Sequence, residues 1–488
     1  MGTESSRACI IDSEGSLLHA EKTSQAMASP RKGWAEQEPL TWWDNTRKNI
    51  KSLLRHPEVS PDGIKAIGVC GQMHAPVPID DRGEPINQPV SLWCDKRADD
   101  VSRELIKREP EENFFLSRAG NPPLPAWMGI KIAWLKRNHP DIYEKASYFL
   151  PPKDYINYEL TGEMATDYSE ASGSFLMDKE SGEWSKELIE LLNLDRGKIP
   201  EIAKADEVLA PIKGEIASNL GLSRNTPVIV GGGDMLCLLL GAGIVEPRLA
   251  CDTTGTASVF SAYSENPASM ENIMSLRHVV DGWINFGILD SGGGSLWWFK
   301  DLLEGVLPAS GELDYELLSE AAARSRPGAN GLFFLPYLQG ERVMGSSRSS
   351  GVFYGLTPAH SYEDMARAIM EGVTFDLNRT GVILDEKEKI EEMRTIGGGA
   401  KSETWNKIKA NIYGKSLATL RSFEGGVVGC SFLAHSALGW IDNPVVGVEK
   451  LELENKFEPR GSAKEEYGDY FEKFCCLHDE MQPLFEEI

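Results

Sequence analysis

Apolar runs that end in glycine recur along the chain. They are Ile64–Cys70 before Gly71, Val228–Val230 before Gly231–Gly233, Ile284–Leu289 before Ser291–Gly294, and Met393–Ile396 before Gly397–Gly399. Short apolar runs bounded by turn residues predict strands, and most of these lead into a helix-like segment. Strand, glycine turn, helix is the unit of sheets that hold phosphates or nucleotides at their strand C-termini. Helical spacing predicts helices over Trp42–Leu54, with Trp43, Ile50 and Leu54 on one stripe, and over Ile130–Arg137, stopping before Pro140. A third, Glu363–Leu377, carries Met365, Ala368, Ile369, Val373 and Leu377 behind Ser361 as N-cap. The fold class expected is α/β. A chain of 488 residues is too long for one compact core. Its simplest division falls where the helix-like Met235–Val245 ends, giving residues 1–245 and 246–488.

Charge narrows the partners. A formal net charge of -24 argues against nucleic acid or an anionic membrane. An anionic ligand then needs a local device, such as backbone amides, a helix N-terminus or a cation. No run of 18 apolar residues predicts a membrane span, and MGTESSRACIID has no signal-peptide pattern, so a cytoplasmic protein is expected. The eight cysteines are scattered, with Cys475–Cys476 the only close pair and no zinc spacing, which reads as reduced thiols.

Asp234 follows three glycines at a strand end and precedes the apolar Met235–Leu240. Such a carboxylate is either a helix N-cap or a general base that a substrate can approach closely. Two Gly-Thr turns, Gly2-Thr3 leading to Arg7 and Gly255-Thr256, offer close backbone approach and hydroxyl donors to phosphate oxygens. Gln72-Met73-His74 and Trp93-Cys94-Asp95 put amide, aromatic and carboxylate chemistry together, as a carbohydrate site needs. Neither a P-loop nor G-x-G-x-x-G occurs, which disfavours those nucleotide modes and a dinucleotide oxidoreductase.

These segments, taken in order, resemble the FGGY carbohydrate-kinase family over essentially the whole chain. The matches begin with Gly2–Arg7, Gly33-Trp34-x-Glu36-Gln37, Gly71–His74 and Trp93-x-Asp95-x-Arg97. They continue with Pro152–Tyr155, Gly231–Asp234, Thr254–Thr256, Phe334–Arg342 and Gly397–Ala400. Gln-Met-His and Trp-x-Glu-Gln resemble the xylulokinases in particular. The resemblance implies two ribonuclease-H-like, actin-like domains with a cleft between them. It implies Asp234 as catalytic base and magnesium ligand, and Gln72, Met73, His74, Trp93 and Asp95 around a sugar. Gly2, Thr3, Arg7, Gly255, Thr256, Gly293, Gly398 and Gly399 would contact ATP, with Mg2+ bridging its phosphates. A homodimer is common among such relatives.

Three departures set further expectations. The family turn is Asp-x-Gly-Thr after a strand, whereas here Met1 stands at x, so either the start lies upstream or a metal ligand and a strand are lost. Met235 and Cys94 stand where amides are usual, and Gly-Glu-Arg-Thr-Pro has become Gly340-Glu341-Arg342-Val343-Met344. The expected activity is phosphorylation of D-xylulose or a related ketose or polyol. The alternative is a non-catalytic sugar- or nucleotide-binding relative.

Overall fold

A computed structural model describes residues 1–86, 89–109, 111, 113–305, 314–342, 344–421, 424–461 and 463–487. Its second half is built on a mixed seven-stranded sheet. The strand order is Met274–Arg277, Trp283–Leu289, Ser258–Ser264, Leu249–Thr254, Glu392–Ile396, Ser416–Leu420 and Leu453–Phe457. Leu249–Thr254 lies at the centre, antiparallel to Ser258–Ser264 and parallel to Glu392–Ile396. Parallel pairing needs both faces covered, and helices supply the cover. The longest, Tyr362–Glu388, buries Ile369, Val373, Leu377 and Leu384 against this sheet's core. Each such side chain contributes about 1.5–3 kcal/mol. Ser361 and Asp364 form the capping box that starts the helix.

The helix runs eleven residues past Leu377, where the apolar stripe thins into Asp385, Glu386, Lys387 and Glu388. Propensity and the absence of proline carry it on after packing stops dictating its composition. The acidic C-terminal segment also packs on this core. Ala463–Glu487 is a helix that buries Tyr467, Phe474 and Phe485 in the same core, while Ile488 lies outside the described residues.

In the first half the described strands are short and paired in twos. Ser5–Ile11 pairs antiparallel with Leu17–Ser24, and Cys70–Gly71 runs parallel to Gly232–Gly233. The strand expected over Ile64–Cys70 keeps regular pairing only at Cys70–Gly71, with a single parallel bridge from Ile67 to Val228. Met1 sits on its other edge: the Met1 amine donates to the Cys70 carbonyl (2.7 Å) and the Gln72 amide donates to the Met1 carbonyl (2.8 Å). That is the bonding of one residue of a parallel ladder. Met1 therefore holds the place that the end of Leu249–Thr254 takes between its neighbours in the second half.

Among the described residues no helix is long and apolar enough to cross a membrane. The helices Asp234–Gly241 and Gly425–Ala437 join the two halves at backbone contact. A Cβ on Gly241 would stand 1.9 Å from the Gly425 carbonyl oxygen, and one on Gly429 1.9 Å from that of Cys237.

Candidate active site

Asp234 lies where the short parallel pair ends. Gly231 has φ +70°, and a Cβ there would lie 2.0 Å from the Val69 carbonyl oxygen, so only glycine allows the bend. Gly233, not Asp234, is the N-cap of the helix Asp234–Gly241, which corrects the capping alternative. Asp234 is the first helical residue, and its Oδ1 accepts from the Met235 amide (2.8 Å). Its carboxyl is pushed up to about 6, chiefly by burial, with the Met1 ammonium pulling the other way.

A buried polar scaffold fixes this loop from behind. The Gly233 amide donates to Ser169 Oγ (2.9 Å), and Asn157 and Lys153 donate to the Val230 carbonyl (2.8 and 3.2 Å). Burial opposes the charge on Lys153, and the carboxylates of Asp154, Asp167 and Glu170 more than offset it.

Met73 packs so closely on Gly233 that a Cβ there would meet Met73 Sδ at 2.5 Å. His74 follows with φ +69°, a strained conformation for a non-glycine residue and one that clusters at functional sites. Its Nδ1 contacts the Gly173 carbonyl at 2.8 Å; a carbonyl only accepts, so Nδ1 carries the proton and Nε2 is left as an acceptor. Burial pushes the His74 pKa down to about 3, so the ring is neutral.

Gln72 joins the sugar segment to the first Gly-Thr turn. Thr3 Oγ1 donates to Gln72 Oε1 (3.2 Å) and accepts from Trp93 Nε1 (2.9 Å), while Gln72 Nε2 donates to Gln37 Oε1 (2.9 Å). Gln37 in turn binds the Thr3 carbonyl (2.6 Å), and Gln25 binds that of Gly2 (2.6 Å).

Asp95 is placed differently from Trp93. Its Oδ1 accepts from the Arg97 amide and Nε (2.9 and 2.8 Å), and its Oδ2 from the Ala35 amide and Arg97 Nη2 (2.6 and 2.7 Å). It anchors the loop that carries Trp93 and presents no free oxygen to the cleft. Arg7 likewise pairs with Glu424 across the chain.

The second-half candidates converge on one turn. The Gly293 and Gly294 amides, in the first turn of the helix Gly292–Glu304, donate to the Gly255 and Thr256 carbonyls (2.9 and 3.0 Å). A Cβ on Gly293 would meet the Gly255 carbonyl oxygen at 2.3 Å, and one on Gly399 would meet Thr254 Cγ2 at 2.5 Å. Gly398 stands between with open space in front of it. The three glycine-rich segments thus pack on one another around Thr254–Thr256.

Lys131 escaped the sequence, and Arg342 stood there only as part of a motif. Lys131 is fully buried under the sugar loops, donating to the Leu92 carbonyl (2.5 Å) and the His74 carbonyl (3.2 Å), and burial lowers its pKa to about 7. A lone lysine between Ile130 and Ile132 on a helix was the available signal. Arg342 reaches in from the second half. It pairs with Asp290 (2.7 Å) and stacks 4.7 Å from the Trp93 ring. Its neighbour Glu341 turns the other way, to His478 (3.0 Å) on the C-terminal helix, and Val343 lies outside the described residues.

Comparison with known proteins agrees with this geometry. Residues 1–241 match the FGGY family of carbohydrate kinases, N-terminal domain, and residues 251–438 its C-terminal domain. A xylulose kinase of Staphylococcus epidermidis is 30% identical over 496 residues, covering 100% of this chain and 97% of the relative. Among solved structures, a ligand-bound xylulose kinase from Lactobacillus acidophilus superposes with a TM-score of 0.92 at 23% identity, covering 100% of this chain and 98% of that one. A gluconate kinase from the same organism gives 0.91 at 23% identity, with the same coverage. The chain belongs to the FGGY family of carbohydrate kinases, has that family's two-domain actin-like fold, and is an ATP-dependent sugar kinase.

Proposed function

We propose that this chain transfers the γ-phosphoryl group of ATP to a primary hydroxyl of a ketopentose, with D-xylulose as the leading substrate. The observation that carries this reading is the Asp234 carboxylate, raised to about 6 beside Met73 and neutral His74. Asp234 accepts the proton of the attacking hydroxyl as the new O–P bond forms and ADP leaves. His74 Nε2 accepts a hydrogen bond from another sugar hydroxyl, and Trp93 gives the sugar an apolar face. The Gly255-Thr256 turn with Gly293, Gly398 and Gly399 receives the nucleotide, and Gly2 and Thr3 approach the phosphates from the first half.

No group of three His, Cys, Asp or Glu among the described residues is arranged to hold a metal. Magnesium asks less of the protein, since one carboxylate beside phosphate oxygens and waters suffices, so Asp234 fits as its ligand. The ion, when bound with ATP, supplies charge neutralisation at the phosphates.

We divide the chain into a sugar-binding, catalytic-base domain over residues 1–245 and a nucleotide-binding domain over 246–488. The proposed partners are the sugar and ATP, and the proposed setting is the cytoplasm.

The test is ADP release with Mg-ATP across D-xylulose, D-ribulose, L-xylulose, erythritol, glycerol and gluconate, with turnover expected to be highest on D-xylulose. A chain that binds ATP but turns over none of them overturns this reading in favour of a non-catalytic relative. For the productive sugar, kcat/KM is expected to rise with pH through about 6 and level off above it, because the base must be ionised. A profile flat between pH 5 and 8 would remove Asp234 from that role.

A further inference from the structure

Three cysteines far apart in sequence meet beside Asp234. Cys70 ends the strand that leads into Gln72-Met73-His74. Cys237 lies one turn beyond Asp234 on the helix Asp234–Gly241, and Cys430 lies on the helix Gly425–Ala437. Cys70 Sγ rests 3.5 Å from the Gly426 carbonyl oxygen, one helical turn before Cys430, and Cys70–Gly71 pairs with Gly232–Gly233 beside the helix that carries Cys237. Two glycines make room for the sulfurs. A Cβ on Gly68 would stand 2.8 Å from Cys430 Sγ, and one on Gly232 3.3 Å from Cys237 Sγ. All three cysteines are free.

We propose that this cluster is an oxidative modification site, at which a hydroperoxide joins Cys70 and Cys430 in a disulfide that ties the sugar loop to the helix Gly425–Ala437. Exposure selects the attacking sulfur: Cys70 is half-buried, whereas Cys237 and Cys430 are 0% and 5% exposed. Hydrogen bonds from the Cys237 and then the Cys430 thiol also hold the Cys70 thiol well below the usual cysteine range, which favours the thiolate nucleophile.

The Cys70 sulfur attacks one peroxide oxygen, the O–O bond breaks, and hydroxide leaves to take up a proton, giving a sulfenic acid and water. The Cys430 sulfur then displaces the sulfenic oxygen. The S–S bond forms, the S–O bond breaks, and the Cys430 proton departs in a second water. Two thiols are oxidised and one hydrogen peroxide is reduced to two waters.

The bond would link residue 70 to residue 430, across the seam where the two halves meet at backbone contact. Kinases of this architecture close around their substrates, and a covalent tie beneath the sugar loop opposes that closure.

The test exposes the purified full-length chain to hydrogen peroxide, alkylates it, and maps non-reduced peptides while following ADP release with its best sugar substrate. A Cys70–Cys430 peptide is expected to accumulate as turnover falls by roughly tenfold, with dithiothreitol restoring both. Cys430→Ala, with Cys430→Ser as a second variant, should keep basal turnover and resist peroxide. Cys237→Ala should remain sensitive. The proposal is overturned if Cys70 instead pairs with Cys9 or Cys237, if it passes directly to sulfinic acid, or if both Cys430 variants lose activity at the unsubstituted rate. The peptide map does not depend on which sugar is used, so its failure is distinguishable from a wrong substrate.

Discussion

Asp234→Asn is expected to lower kcat by about 10²–10⁴-fold, the range typical of removing a general base. The amide keeps the shape of the carboxylate but cannot take the hydroxyl proton. Stability should move the other way. Burial raises the folded-state pKa from 3.8 to about 6, so the folded chain holds its proton where the unfolded chain has lost it. The cost to the fold is absent below pH 3.8, grows up to about 6, and is fully present at pH 7. Asparagine carries no such cost, so the variant should be more stable at neutral pH by up to about 3 kcal/mol. Measured together, turnover and denaturant unfolding separate a chemical loss from a folding defect. A dead enzyme that is also destabilised would mean that Asp234 holds the loop instead of serving as base.

The bend before that residue was legible because close packing imposes a local signature. Three glycines before one carboxylate is a costly backbone arrangement unless something must approach, and Gly231 and Gly233 each face an atom that a Cβ would strike. The strand over Ile284–Leu289 was legible because it is buried along nearly its whole length and reads as a mostly apolar run, and Met393–Ile396 because glycines follow it directly. The central strand Leu249–Thr254 was not, since Asp252, Thr253 and Thr254 break the apolar run, and the Asp252 carboxylate is satisfied by Thr254 within the strand together with Lys409 and Tyr413 from far along the chain. The expected Ile64–Cys70 strand met the opposite problem, an apolar local pattern that keeps regular pairing only at Cys70–Gly71. Asp95 was expected at the sugar and Arg7 at the nucleotide, yet their partners, Ala35 with Arg97 and Glu424, decide which way they face. Lys131, Arg342 and the three thiols could not be grouped from spacing, because the fold brings them together from distances of tens to hundreds of residues.

Lys409→Met is expected to destabilise the chain by about 3–5 kcal/mol, the range for removing one partner of a buried ion pair. Lys409 is fully buried, and its ammonium spends all three protons on Asp252 Oδ1 (2.5 Å), Thr254 Oγ1 (2.7 Å) and Thr395 Oγ1 (3.3 Å). Asp252 Oδ1 also accepts from Thr254 Oγ1 (2.6 Å), and its Oδ2 from Tyr413 (2.6 Å). Without the lysine the carboxylate keeps only hydroxyl donors in a fully buried site. Methionine matches the aliphatic stem, so the loss reads the charge and not a cavity. Adding Asp252→Leu should recover most of the stability, since replacing both members of such a pair by apolar groups is often neutral. The network sits two residues before the Gly255-Thr256 turn and holds it to the strand Glu392–Ile396 that leads into Gly397–Gly399. The double variant should therefore fold but bind ATP more weakly, which a KM for ATP raised several-fold at nearly unchanged stability would register. A double variant with native ATP affinity would show that the glycines alone shape the phosphate turn. A single variant costing less than about 1 kcal/mol would show that the buried charge is stabilised by something other than Lys409.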